Sequence, residues 1–266
     1  MSKELKLRTL FGLTLALVVI ISILVDVWVF SCLITLFSIL AMDEWDKIIH
    51  FNKAGLISKI RSYLIIPIIA VLTIYSYYNF IFIFIIFSLI ISVLVANKLK
   101  INYFWLITGV IYIYIPLISL IWIKSNIEGA NIILIWLFFI IWGSDVGGYL
   151  FGKIIKGPKL VPKISPSKTW SGAIGALLFS ILIAFTFASI LPNSSLLLVL
   201  MVSIFISFCS QAGDLIESLF KRRHHIKDSG KLIPGHGGVL DRTDSLVLSA
   251  PLTVIIILFN SGSFLL

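Results

Sequence analysis

Three aspartates, three histidines, four glycines and six basic residues crowd into residues 218–245, SLFKRRHHIKDSGKLIPGHGGVLDRTDS. This is the densest collection of phosphate- and metal-handling groups in the chain. Asp241 and Asp244 are three apart, so a helix starting there puts both carboxylates on one face. Asp214, upstream in SQAGDLIESLFKR, can approach them across the loop. Three neighbouring carboxylates repel, and a divalent cation resolves the repulsion. Hard oxygen ligands suit magnesium and suit phosphates. The histidines lack a zinc-type spacing with cysteine. Gly237 and Gly238 beside His236 predict a tight turn whose amides face an anion.

A second group lies in KIIKGPKLVPKISPSKTWSG, residues 153–172. Its lysines, Lys159, Lys163 and Lys168 among them, are phosphate partners, and Ser165, Ser167 and Thr169 add hydroxyls. Three prolines stiffen it. Thr169 or Ser171 is placed to cap the following helix, whose N-terminus itself attracts an anion. Just upstream, IWGSDVGGYLFG carries Asp145 inside an apolar run, where an acid is a functional candidate by default. Gly143 and Gly147, then Gly148 and Gly152, repeat at four-residue spacing, which lets helices approach closely.

These groups need a scaffold, and composition says which kind. The 266 residues are 59% hydrophobic and 12% charged, against roughly 25% charged for soluble domains. A mean hydropathy of +1.11 agrees. The net charge of +9 fits anionic lipid or phosphorylated substrates; nucleic acid fits poorly, because the charges sit in loops between apolar runs. Cys32 and Cys209 lie inside apolar segments and read as small buried hydrophobes.

A membrane helix needs about 20 largely apolar residues. Nine spans are expected, near 9–25, 27–42, 62–77, 79–97, 102–123, 131–151, 172–191, 196–217 and 245–264. The first is read as a retained helix, not a cleaved signal. The first two are divided at Asp26, since one straight helix would run about 50 Å, too long for a core of roughly 30 Å. With nine spans, every lysine and arginine except Lys124 falls on one side, and the positive-inside rule makes that side, with the N-terminus, cytoplasmic. The expected fold is an all-α polytopic membrane protein: residues 1–266 as a single membrane domain, with N-terminal helices over 1–130 and catalytic helices and cytoplasmic loops over 131–266. Within 43–61, Trp45, Ile48, Ile49, Leu56 and Ile60 recur at helical spacing between lysines, which predicts a helix lying in the membrane interface.

The 218–244 segment resembles the phosphatidate cytidylyltransferase (CDP-diglyceride synthase) family. The family's signature is filled here by Ser218, Lys221, Arg222, Lys227, Asp228, Gly230, Pro234, His236, Gly237, Gly238, Asp241, Arg242 and Asp244. SDVGGYLFGK and SPSKTWSG are similar to its upstream motif, with Ser167 in place of a common lysine and Ser171 in place of a common glutamate. The resemblance implies a Mg²⁺-dependent transfer from CTP to phosphatidic acid at the cytoplasmic face of a bacterial inner membrane, with a second cation left open. It places Asp214, Asp241 and Asp244 on metal, with Asp145 a weaker candidate for the metal or its surroundings. Lys221, Arg222, Lys227 and Arg242 would hold phosphates. Asp228 falls in the same catalytic group. Ser165, Lys168 and Thr169, with Lys159, Lys163, Gly237 and Gly238, would contact CTP or the lipid phosphate. His236 either orients a phosphate oxygen or braces the glycine turn. The assembly is left open, a homodimer included.

Two other readings compete. A CTP-dependent polyprenol or phytol kinase would lack the full HGG-x-x-DR-x-D pattern. A transporter would explain intramembrane acids and close-packed glycines, but its site should lie near the midplane, whereas the polar groups here concentrate on one side.

Overall fold

The computed structural model describes residues 3–190, 195–230, 232 and 237–260, with side chains from Leu10 onward. It is built almost entirely of helices: α1 (Lys3–Val25), α2 (Val27–Ile48), α3 (Leu56–Lys59), α4 (Ile66–Ile74), α5 (Tyr78–Leu99), α6 (Tyr103–Asn126), α7 (Ala130–Ile154), α8 (Trp170–Ile190), α9 (Leu196–Arg223), α10 (Leu240–Thr243) and α11 (Leu246–Phe259). Among the described residues, eight helical stretches are long and apolar enough to cross a membrane, and a shorter apolar helix, Leu10–Val25, precedes them. The helices form because a lipid-exposed backbone must satisfy its own hydrogen bonds.

One element is not helical. Lys159–Val161 (β1) and Ser165–Thr169 (β2) pair antiparallel as a two-stranded hairpin with an irregular register. The sequence reading made this stretch a loop. Both strands are edges, which is where Pro166 of β2 is tolerated, and Pro162 lies in the turn between them.

Contacts divide the chain into two compact units, Met1–Asn126 with His224–Thr243, and Ile127–Arg223 with Asp244–Leu266. Residues 224–243 group with the N-terminal helices in the first unit.

In the first unit the chain breaks at Asp26, whose carboxylate accepts from the Trp28 amide at 3.4 Å and caps α2. The expected interfacial helix over 43–61 is not one helix. Residues 43–48 are the last turns of α2, Phe51–Ala54 forms a 3₁₀ turn, and α3 starts a helical run that passes through a π-type stretch, Ile60–Ile65, into α4. Of the apolar residues at helical spacing, Trp45 and Ile49 are buried, Ile48 and Ile60 are half-buried, and Leu56 is exposed. Trp45 is fully buried. Its indole Nε1 donates to the Trp105 carbonyl at 3.0 Å, and a Cβ on Gly109 of α6 would strike the ring.

Beside it is a buried ion pair. Arg61 and Asp46 are both fully buried and bonded to each other. Ser58 Oγ donates to Asp46 at 2.8 Å, Arg61 donates to Ser92 Oγ at 3.3 Å, and the Phe51 ring lies 4.3 Å from the guanidinium carbon. Asp46 sits on α2 and Arg61 on the π-type stretch, so the pair ties those two elements together.

In the second unit α7 and α8 pack through their glycines, as the four-residue spacing predicts. A Cβ on Gly172 would meet the Gly148 carbonyl oxygen at 2.8 Å, and Gly147 and Gly175 are each closed off by the other's carbonyl. Ser144 Oγ meets Ser207 Oγ at 2.9 Å, and Trp136 Nε1 donates to Ser203 Oγ at 3.2 Å, joining α7 to α9.

Removing one partner of a buried ion pair costs about 3–5 kcal/mol, because the other charge is stranded. Arg61→Met is therefore expected to lower the unfolding midpoint in detergent strongly, and adding Asp46→Leu is expected to restore most of the loss.

Candidate active site

Helix α9 ends by presenting Asp214, Glu217, Ser218 and Lys221 at i, i+3, i+4 and i+7, which is one face of a helix. Lys221, Arg222 and Arg223 occupy its last turn, where cations oppose the macrodipole. Asp244, just after α10 in the chain, is brought against this face by Gly213. A Cβ there would collide with the Asp244 carbonyl. The result is a cluster. Asp214, Glu217 and Asp244 each offer a carboxylate oxygen, and the three lie within 4.8 Å of one another.

Two lysines answer this charge. Lys168 Nζ lies 2.6 Å from Asp214 Oδ2, and Lys221 Nζ lies 2.5 Å from Glu217 Oε2. Glu217 has no exposed surface, whereas Lys168 and Asp214 are 22% and 36% exposed. Like charges 4 Å apart repel by about 4 kcal/mol at an effective dielectric of 20. Three carboxylates against two ammonium groups still leave a negative balance, in a setting of hard oxygens. That donor set fits a divalent cation.

The hairpin carries Lys168 into the cluster. Arg222 Nε donates to the Ile164 carbonyl at 3.2 Å and holds the hairpin turn to the end of α9. Lys159 and Lys163 are exposed on the hairpin, and Ser165 Oγ lies 3.5 Å from Ser167 Oγ. Thr169 is buried, and its hydroxyl accepts from the Gly172 amide at 3.1 Å. It caps α8, as one sequence expectation had it. Asp145 is exposed on α7 and is not part of the acidic cluster.

The expected partner Asp241 is not in the cluster either. In the first unit its Oδ2 accepts from the Ser229 amide at 3.0 Å and the Gly238 amide at 2.8 Å. The glycine turn therefore exists, with Gly237 at φ 81°, but the Gly238 amide faces a protein carboxylate and not a ligand. Glu44 of α2 completes this arrangement. It accepts from Ser229 Oγ at 2.9 Å, the Val239 amide at 3.0 Å and the Leu240 amide at 2.9 Å. Lys227, Asp228 and Arg242 are exposed in the same unit. His236 lies outside the described residues.

Two residues escaped the sequence reading. Glu217 had a signal, three residues after Asp214 and four before Lys221. Glu44 had almost none, since its partners lie 185 to 196 positions away.

With this geometry in hand, the comparisons with known proteins become decisive. The cytidylyltransferase family model matches residues 6–260. The chain belongs to this family. A phosphatidate cytidylyltransferase of Rickettsia bellii is 41% identical over 169 residues, covering 60% of this chain and 71% of that protein. One of Rickettsia felis is 46% identical over 156 residues, covering 55% of this chain and 67% of the relative. One of Brucella suis is 37% identical over 161 residues, covering 60% of each. The chain thus spans between three fifths and three quarters of these relatives. The family membership accounts for the filled signature and for the all-helical membrane architecture.

In the first unit the His224 ring lies edge-on to Trp105 at 5.1 Å. Burial, then the neighbouring His50 and His225, hold it below the ordinary histidine value. A histidine lowered in the folded state favours folding fully above its unfolded pKa, about 6.5, and loses that contribution as pH falls. Acidification below 6.5 is expected to lower the melting temperature, and less so in His224→Gln.

Glu217→Gln is expected to raise the divalent-cation concentration for half-maximal activity by at least about tenfold, read from a cation titration of turnover.

Proposed function

We propose that this family member is a phosphatidate cytidylyltransferase that makes CDP-diacylglycerol and pyrophosphate from CTP and phosphatidic acid. The observation that carries the reading is the Asp214, Glu217 and Asp244 cluster faced by Lys168 and Lys221, within a family of cytidylyltransferases. A phosphate oxygen of the lipid attacks the α-phosphorus of CTP. The bond from that phosphorus to the bridging oxygen breaks, and pyrophosphate leaves. The attacking phosphate is already largely ionised at neutral pH, so no strong general base is required. What the reaction needs is two polyanions held together with their charge neutralised.

The residues supply that. Lys168 and Lys221 stand at the cluster as ammonium groups that can exchange a carboxylate for a phosphate oxygen. Lys159, Lys163 and Arg222 add positive charge on the same unit. Mg²⁺ is the cation we assign, held by Asp214, Glu217 and Asp244, where it would screen the phosphates from one another. Lys227 and Arg242 are proposed phosphate partners on the first unit. The concentration of basic residues in the loops supports a cytoplasmic site at a bacterial inner membrane.

The test is pyrophosphate release from CTP by the purified protein, requiring both phosphatidic acid and Mg²⁺. Release of CDP in place of pyrophosphate would mark a kinase and overturn the reading. Asp244→Asn is expected to lower turnover by at least about a hundredfold, with the protein still inserted in membranes.

A further inference from the structure

Glu44 is the buried acid that this chemistry leaves unused. It lies near the end of α2 and is 7% exposed. Among the described residues, its hydrogen-bond donors belong to the segment bearing the family signature: Ser229 Oγ, the Val239 amide and the Leu240 amide. The segment is shaped around it. A Cβ on Gly230 or on Gly238 would run into the Glu44 oxygens.

Asp241 grips the same stretch a second time. Ser229 gives its hydroxyl to Glu44 and its amide to Asp241. Gly238, Val239 and Leu240 donate three successive amides, the first to Asp241 and the next two to Glu44. Two carboxylates therefore join Ser229 to Gly238–Leu240 within the signature segment. Backbone amides are strong donors to an ionised acceptor, and a buried carboxylate left without them would be costly.

We propose that Glu44 is a positioning residue for cytidylyl transfer. Its carboxylate fixes the backbone of Ser229 and of Gly238–Leu240, which sets the orientation of Asp241 and of the α10 turn carrying Arg242. Its oxygens are taken up by the segment's own donors, so it acts through the segment and not on substrate. Helix α10 runs directly into Asp244, a member of the acidic cluster, and positional error of an ångström at a reacting centre lowers turnover by roughly a hundredfold. The inference rests on the function proposed above, since that is the rate Glu44 would govern.

Glu44→Gln keeps the shape but places an NH₂ against a backbone N–H. The full chain, purified in detergent, is assayed with CTP, phosphatidic acid and Mg²⁺ as wild type, Glu44→Gln, Ser229→Ala and the double variant. Glu44→Gln is expected to lower kcat about 10- to 100-fold with KM for CTP changed less than about threefold. Ser229→Ala should lower kcat less, and the double variant should be no worse than Glu44→Gln, because both act through one contact set. Hydrogen exchange should quicken at the Val239 and Leu240 amides while those of α2 and α6 stay protected.

Unchanged kcat in Glu44→Gln overturns the proposal. So does a multiplicative double variant, or a loss expressed in KM with Val239 and Leu240 still protected. Exchange quickening throughout α2 and α6 would make Glu44 a folding residue and overturn it as well. A wild type with no phosphatidic-acid-dependent pyrophosphate release overturns the function itself, and the wild-type rate alone tells that failure apart from the others.

Discussion

A carboxylate withdrawn from water must be given donors or an opposite charge, and this requirement organises the protein. Three buried acids meet it in three ways. Asp46 has the guanidinium of Arg61 and the hydroxyl of Ser58. Glu44 has two backbone amides and a serine. Glu217 has Lys221, one turn further along its own helix. Desolvation makes each arrangement costly to break. The first fixes helices, the second fixes a segment, and the third sits in an acidic cluster.

The same requirement explains where glycine appears. Gly213 lets the Asp244 backbone reach α9, and Gly230 and Gly238 leave room for the Glu44 oxygens. In the signature, a glycine beside an acid is a statement about space around a carboxylate. The α7 and α8 glycines are different: there the close neighbours are largely backbone carbonyls and aromatic rings, as helix packing in a membrane favours.

Much of this was legible in the sequence, because its signals are local. Apolar runs of helical length marked the helices, four-residue glycine spacing marked the α7–α8 contact, and Thr169 marked a cap. Asp214 and Asp244 lie together in the structure, with Glu217 beside them. Three-residue spacing puts Asp241 and Asp244 on one face only within a continuous helix, and α10 ends at Thr243. Glu44 was illegible because its meaning lies in donors nearly two hundred residues away. Over 43–61 the helical periodicity did not reveal the breaks at Phe51–Ala54 and Gly55, because it carries no mark of where a helix stops.

Arg61 has a bearing on how the chain is made. Counting charges to orient a membrane protein treats each arginine as a group that must stay in water, yet this one is enclosed by protein. An arginine entering a bilayer alone costs about 2.5–3.5 kcal/mol at a helix centre on insertion scales. Asp46 precedes it in the chain and so emerges first from the ribosome. The second hydrophobic segment thus carries a waiting counter-ion for the third, and the two are best delivered to lipid as a neutralised pair.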